Sequence, residues 1–69
     1  MKCYVSDTKN NNLIVDALTK KDAVKKFIVY FQGKNQKIAR YISVSETGFS
    51  STLDTESVFD AGEIEHELD

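Results

Sequence analysis

The sequence predicts an α+β fold in two layers: one helix packed on an antiparallel sheet of four strands, in the order β-β-α-β-β, with room for a fifth strand at the C-terminal end. Three observations carry this reading. Apolar and polar residues alternate with a period of two on both sides of a central stretch. The central stretch, from Lys20 to Gly33, instead repeats its apolar residues at helical spacing. The segment Asp7-Thr8-Lys9-Asn10-Asn11-Asn12 has no apolar residue and has the composition of a hairpin loop. One helix lying across one sheet face buries the apolar side of both layers.

Met1 to Ser6 places Cys3 and Val5 on one side and Lys2, Tyr4 and Ser6 on the other, as a half-buried strand does. After the Asn-rich loop, Leu13 to Leu18 turns Leu13, Val15 and Ala17 to one face, so the first two strands are expected to pair antiparallel. Thr19 is placed to cap a helix that begins at Lys20, because its hydroxyl can accept from an unpaired amide of the first turn, and Asp22 follows as a short capping-box partner. Ala23, Val24, Phe27, Ile28 and Phe31 then form a core-facing stripe. Gly33 is expected to supply the left-handed stop, with Lys34 and Lys37 just past the negative end of the helix dipole. Ile38 to Ser45 returns to alternation, with Ile38, Ile42 and Val44 inward and Arg40 on the same phase, its stem snorkelling to the edge. A turn at Glu46-Thr47-Gly48 leads to a fourth strand carrying Phe49, Ser51 and Leu53 on one face. The alternation of Glu63-Ile64-Glu65-His66-Glu67-Leu68-Asp69 fits a fifth, edge strand, although residues 54–69 leave strand, helix and irregular tail open.

With 69 residues the chain is read as a single small α+β domain over residues 1–69, with residues 54–69 as an acidic C-terminal extension or edge strand. A core of this size supplies on the order of 3–5 kcal/mol of stability and leaves little bulk for a deep cleft. Cys3 is the only cysteine, so no intrachain disulfide can form and a reducing, cytoplasmic setting is expected. No apolar stretch matches a secretory signal or a membrane span, so no membrane partner is expected.

Charge is divided by position. Residues 1–40 hold all nine Lys and Arg against three Asp, whereas residues 41–69 hold eight Asp and Glu and no base. Two opposite fields of this kind can steer two different partners. On the basic side, Lys21, Lys25, Lys26, Lys34, Lys37 and Arg40 are candidate nucleic-acid contacts, since lysines on phosphates give sequence-independent affinity. The same residues also suit a solvated amphipathic helix, with Asp22 and Lys26 as an i, i+4 pair, and no Gly-rich or aromatic-basic motif accompanies them. On the acidic side, Asp54, Glu56, Asp60, Glu63, Glu65, Glu67 and Asp69 are candidate contacts for a protein partner. Carboxylates on one face of a strand, about 6.6 Å apart, resemble the spacing of backbone phosphates and would occupy a cationic groove. The competing readings are a solubilising acidic edge, which keeps a sheet from pairing with other chains, and a tail that folds back onto the basic helix.

Catalytic chemistry has no sequence support: no nucleophile has a signalled base, and the glycines Gly33, Gly48 and Gly62 all fall at expected turns. On a strand, Glu65 and Glu67 would lie opposite His66 and could not share an ion with it, so neither a metal nor a cofactor is expected. Tyr4, Tyr30 and Tyr41 would stack bases if they shared an open sheet face, and Val29 with Tyr30 would favour a homodimer if Tyr41 or Phe59 joined them in a patch.

In the order of its elements and in its helix opening, Leu18-Thr19-Lys20-Lys21-Asp22-Ala23-Val24-Lys25-Lys26-Phe27, the chain resembles the small β-β-α-β-β proteins of bacteriophages and mobile elements. The likeness covers roughly residues 1 to 53, rests on pattern and brings no catalytic residue. It implies a regulatory or host-interacting protein. The expected function is therefore a non-enzymatic interaction module that binds a protein through its acidic C-terminal surface, in one form a phage-type inhibitor of a nucleic-acid-handling host protein. The alternatives are a nucleic-acid binder using the basic helix face and a structural homodimer.

Overall fold

The computed structural model describes residues 1–49 and 57–68. It consists of strand β1 (Lys2–Asp7), strand β2 (Asn12–Asp16), helix α1 (Lys20–Gly33), strand β3 (Tyr41–Ser45), strand β4 (Ser57–Asp60) and helix α2 (Ala61–Leu68). The strands form one antiparallel sheet in the order β2-β1-β3-β4. The α+β class and the β-β-α-β-β order are as the sequence predicts, with α2 added after the last strand.

Alternation places Cys3, Val5, Leu13, Val15, Ile42, Val44 and Phe59 on the face under the helices. The helical stripe of Ala23, Val24, Phe27, Ile28 and Phe31 packs against them, and α2 adds Ala61 and Ile64, one turn apart, to the same core. Both helices therefore cover the same sheet face. Thr19 caps α1, its hydroxyl accepting from the Asp22 amide at 3.0 Å.

A carboxylate ties two loops together at one end of the sheet. Asp7 Oδ1 accepts from the amides of Lys9 (2.9 Å) and Asn11 (3.0 Å), while Oδ2 accepts from Asn11 Nδ2 and the Ala39 amide, both at 2.9 Å. Asn11 Nδ2 also donates to the Lys37 carbonyl, so the β1–β2 loop is fastened to the segment entering β3. Burial pushes the Asp7 carboxyl up, but hydrogen bonds from the Asn11 side chain and from the amides of Ala39, Asn11 and Lys9 outweigh it and hold it below the usual aspartate range. Asn10 takes the left-handed backbone the hairpin turn needs, at φ 64°.

Several expectations are corrected. The left-handed residue that ends α1 is Asn35 (φ 56°) rather than Gly33, which stays within the helix; the Asn35 amide donates to the Gln32 carbonyl at 3.0 Å. Strand β3 begins only at Tyr41, so Arg40 does not keep the inward phase and is instead exposed beside Asp60, while Ala39 is buried. Phe49 lies in a turn and meets the Tyr4 ring edge-on at 5.3 Å, and the rest of the strand expected at Phe49 to Leu53 lies outside the described residues. The last strand of the sheet is β4, with Phe59 inward and Val58 outward.

The fifth strand is replaced by α2. Alternation over Glu63 to Glu67 is also compatible with a helix, because Ala61 and Ile64 lie three residues apart, and Asp60 supplies the helix start. Its Oδ1 accepts from the Gly62 amide at 2.9 Å, an N-cap arrangement. Asp60→Ala should therefore fray α2, read as a loss of amide-exchange protection confined to residues 61–68 while β1 and β3 keep theirs.

Candidate functional site

The structure sets α2 beside α1 and so brings the two charged parts of the chain together. Lys21 Nζ lies 2.6 Å from Glu67 Oε1, and Gln32 Nε2 donates to Glu65 Oε1 at 3.2 Å. Lys21, Lys25, Ile28 and Gln32 recur at i, i+4, i+7 and i+11, one flank of α1, and α2 lies along it. The Lys21 ammonium, as hydrogen-bond donor and as charge, holds the Glu67 carboxyl below the usual glutamate range, with Lys25 adding to the field.

At the start of α2, Arg40 Nη2 lies 3.2 Å from Asp60 Oδ2 and Arg40 Nε donates to the same oxygen. Partial desolvation pushes the Asp60 carboxyl up, but the Gly62 amide and the Arg40 guanidinium outweigh it and hold it low. Glu63 is exposed and borders a shallow open groove with Arg40, Asp60, Gly62 and His66. Glu63 and His66, three residues apart on a helix, share a side. Because α2 is a helix, Glu63, Glu65 and Glu67 do not form a single row at strand spacing. Asp54, Glu56 and Asp69 lie outside the described residues.

Four of the six basic candidates are similarly engaged. Besides Lys21 and Arg40, Lys26 Nζ donates to the Asp16 carbonyl and Lys34 Nζ sits 4.6 Å from the centre of the Tyr30 ring. Lys20 reaches Ser57 Oγ at 3.1 Å and lies 3.9 Å from Glu46 Oε2. Lys37 is exposed. Val29 and Tyr30 line an open groove with Lys25 and Lys26 on the outer side of α1, and neither Tyr41, on the opposite sheet face, nor Phe59, under the helices, joins them.

The remaining surface of note is the sheet face turned away from both helices. Its rows follow from the register: Ile14, Tyr4 and Ser45 across one line; Asn12, Ser6, Ser43 and Val58 across the next; then Tyr41 beside Asp60. Ile14 and Tyr41 are each 52% exposed and Val58 62%, and the Phe49 ring against Tyr4 extends the apolar area. Lys2 Nζ stands 5.3 Å from the Tyr4 ring centre and the Arg40 guanidinium 5.2 Å from that of Tyr41. Both carboxylates here are paired, Asp60 with Arg40 and Asp16 at 3.1 Å from the N-terminal ammonium, and Lys2 adds one further cation. The outward phase of Tyr4, Tyr41 and Ser43 is legible in the alternation, whereas that of Val58 is not, because the alternation marks no strand over residues 57–60.

For chemistry rather than contact, the described residues offer little. No three of His, Cys, Asp and Glu come together as a metal-ligand set among them. Cys3 is fully buried, and burial pushes its thiol up, away from the reactive thiolate. No helix among the described residues is long and apolar enough to cross a membrane. Compared with known proteins, the chain matches no family model, no curated protein and no solved structure.

Proposed function

We propose that this chain is a non-enzymatic interaction module that binds a protein partner through the uncovered sheet face. The observation that supports this reading is the grouping of Tyr4, Ile14, Tyr41, Phe49 and Val58, five apolar or amphipathic side chains among serines, on a face whose two carboxylates are both paired with cations. Aromatic anchors ringed by hydroxyls suit a protein surface, where area is buried at little ionic desolvation. Contact through the acidic segment alone is the weaker form, because Lys21 and Arg40 already engage Glu67 and Asp60. The imitation of phosphate spacing loses its basis with the strand. A nucleic-acid reading draws support from the cations over Tyr4 and Tyr41, but the acids beside them oppose phosphate.

The test is capture of partners from the native host by the wild-type chain and two variants. Tyr41→Ser with Val58→Ser should reduce the captured protein at least about tenfold, equivalent to about 1.4 kcal/mol. Neutralising Glu63, Glu65 and Glu67 to Gln should change it less than about threefold at physiological salt. The reverse pattern would return the contact to the acidic segment, and a nuclease-sensitive capture or a mobility shift of DNA or RNA at micromolar protein would favour the basic surface.

A further inference from the structure

The two edges of the sheet are built differently. β4 is the shorter edge strand, carries the Asp60–Arg40 ion pair and runs directly into α2, devices that keep an edge from pairing with another chain. β2, Asn12-Leu13-Ile14-Val15-Asp16, has no lysine, proline or bulge, and among the described residues no strand pairs with its outer side. Beyond it Leu18 is 89% exposed.

The hydrogen-bond phase fixes what that edge presents. Met1 and Ala17 exchange both backbone hydrogen bonds and the Asp7 amide donates to the Asn11 carbonyl, so the odd-numbered residues of β2 direct their peptide groups at β1. The amides and carbonyls of Asn12 and Ile14 and the amide of Asp16 consequently point outward; the Asp16 carbonyl also points outward and accepts from Lys26 Nζ, keeping a second lone pair. An unpaired strand edge of this kind is a template for another strand.

We propose that β2 is the edge through which two copies of this chain associate, strand against strand and antiparallel, with Ile14 on the two-fold axis. The strand is self-complementary in that register. Ile14 meets Ile14 of the second copy, Leu13 meets Val15, and Asn12 meets Asp16, so that an amide faces each carboxylate. Centring the axis on Asp16 would oppose two carboxylates, and centring it on Leu13 or Val15 would leave an end residue unpaired. The Ile14 register alone pairs every residue of β2 and uses the outward peptide groups on both strands. It would join the sheets into one and bring the two open faces side by side. This inference stands on the edge, not on the partner assigned to the face.

Sedimentation velocity of the full chain from about 1 μM to about 1 mM tests it. The wild-type chain is expected to pass from monomer to dimer across that range. Ile14→Lys, a change at a half-exposed position that sets two ammonium groups together at the axis, should weaken the dimer at least about tenfold. Asn12→Asp should weaken it by setting acid against acid, and adding Asp16→Asn should restore it, with circular dichroism confirming that each variant is folded. A chain that stays monomeric throughout, a dimer indifferent to Ile14→Lys, or a double variant that fails to recover association would each overturn the proposal.

Discussion

Phe27→Ala is expected to leave the chain without a cooperative folded state at 25 °C. Phe27 is fully buried, with its ring centre 4.7 Å from that of Phe31, and it sits in the cluster that joins α1 to the sheet and to Ala61 and Ile64 of α2. Truncating a buried Phe costs about 3–5 kcal/mol, from lost transfer energy and from the cavity left behind. A single core in a chain this small supplies on the order of 3–5 kcal/mol, with no disulfide to supplement it. The substitution therefore removes about as much as the fold possesses. Phe27→Leu keeps most of the volume and should retain a cooperative but lower melting transition. Thermal and urea unfolding followed by far-ultraviolet circular dichroism would decide; an alanine variant that melts cooperatively within a few degrees of the parent would show that the core is organised around other residues.

The second large effect is expected at Asp7, and it rests on geometry rather than on volume. Four donors converge on this one carboxylate: the amides of Lys9, Asn11 and Ala39 and the side-chain amide of Asn11. In Asp7→Asn one oxygen becomes an NH2 group, so at one end donors face donors. Leaving a buried partner unsatisfied costs about 1–3 kcal/mol, and hydrogen bonds to a charged acceptor lie at the upper end of that range. At about 4–8 °C per kcal/mol for a domain of this length, the midpoint should fall by roughly 10–20 °C.

The same residue sets the acid limit of the fold. Because the folded state holds the Asp7 carboxyl below its ordinary value of about 3.9, the stabilisation is fully present above that value. It is lost as pH falls through the lower, folded value, where the carboxyl takes up its proton. Stability measured between about pH 6 and pH 2 should drop at the acid end in the parent and show a weaker drop in Asp7→Asn. Equal slopes in the two proteins would remove Asp7 as the cause.

These effects separate what was legible in the sequence from what was not. The stripe from Ala23 to Phe31 and the cap at Thr19 are local patterns, read over a few residues, and all five stripe residues are buried as expected. The inward phase of Cys3, Val5, Ile42 and Val44 is equally local. The C-terminal segment was ambiguous for a physical reason: alternation over Glu63 to Glu67 satisfies strand periodicity, while Ala61 and Ile64 satisfy a helical turn. The cap decides between them. Asp60-Ala61-Gly62-Glu63 places an acid at the N-cap and a glutamate three residues on, a helix-start signal available in the sequence.

The charged surfaces stay open in the sequence for a different reason, with an outward acidic flank and a tail folded back onto the basic helix both compatible with it. Lys21 and Glu67 are far apart in the chain, and so are Arg40 and Asp60, and no periodicity reports which flank of α1 a later helix will occupy. Among the described residues, part of the segregation along the sequence becomes pairing in space, at Lys21–Glu67, Arg40–Asp60 and Lys20–Glu46. Likewise the open sheet face is legible only in part, since Tyr4 and Tyr41 carry their phase in the alternation while the strand bearing Val58 has no such signal.

The central claim is that the acidic and basic parts of this chain hold each other at the α1–α2 contact, leaving the sheet face as the surface for partners. Carbon-detected nuclear magnetic resonance of the Glu67 carboxylate during a pH titration tests this directly. Glu67 should titrate below the usual glutamate range of about 4.3 and rise toward it in Lys21→Gln. A Glu67 that titrates at the ordinary value in the parent, and does not respond when Lys21 is replaced, would contradict the account.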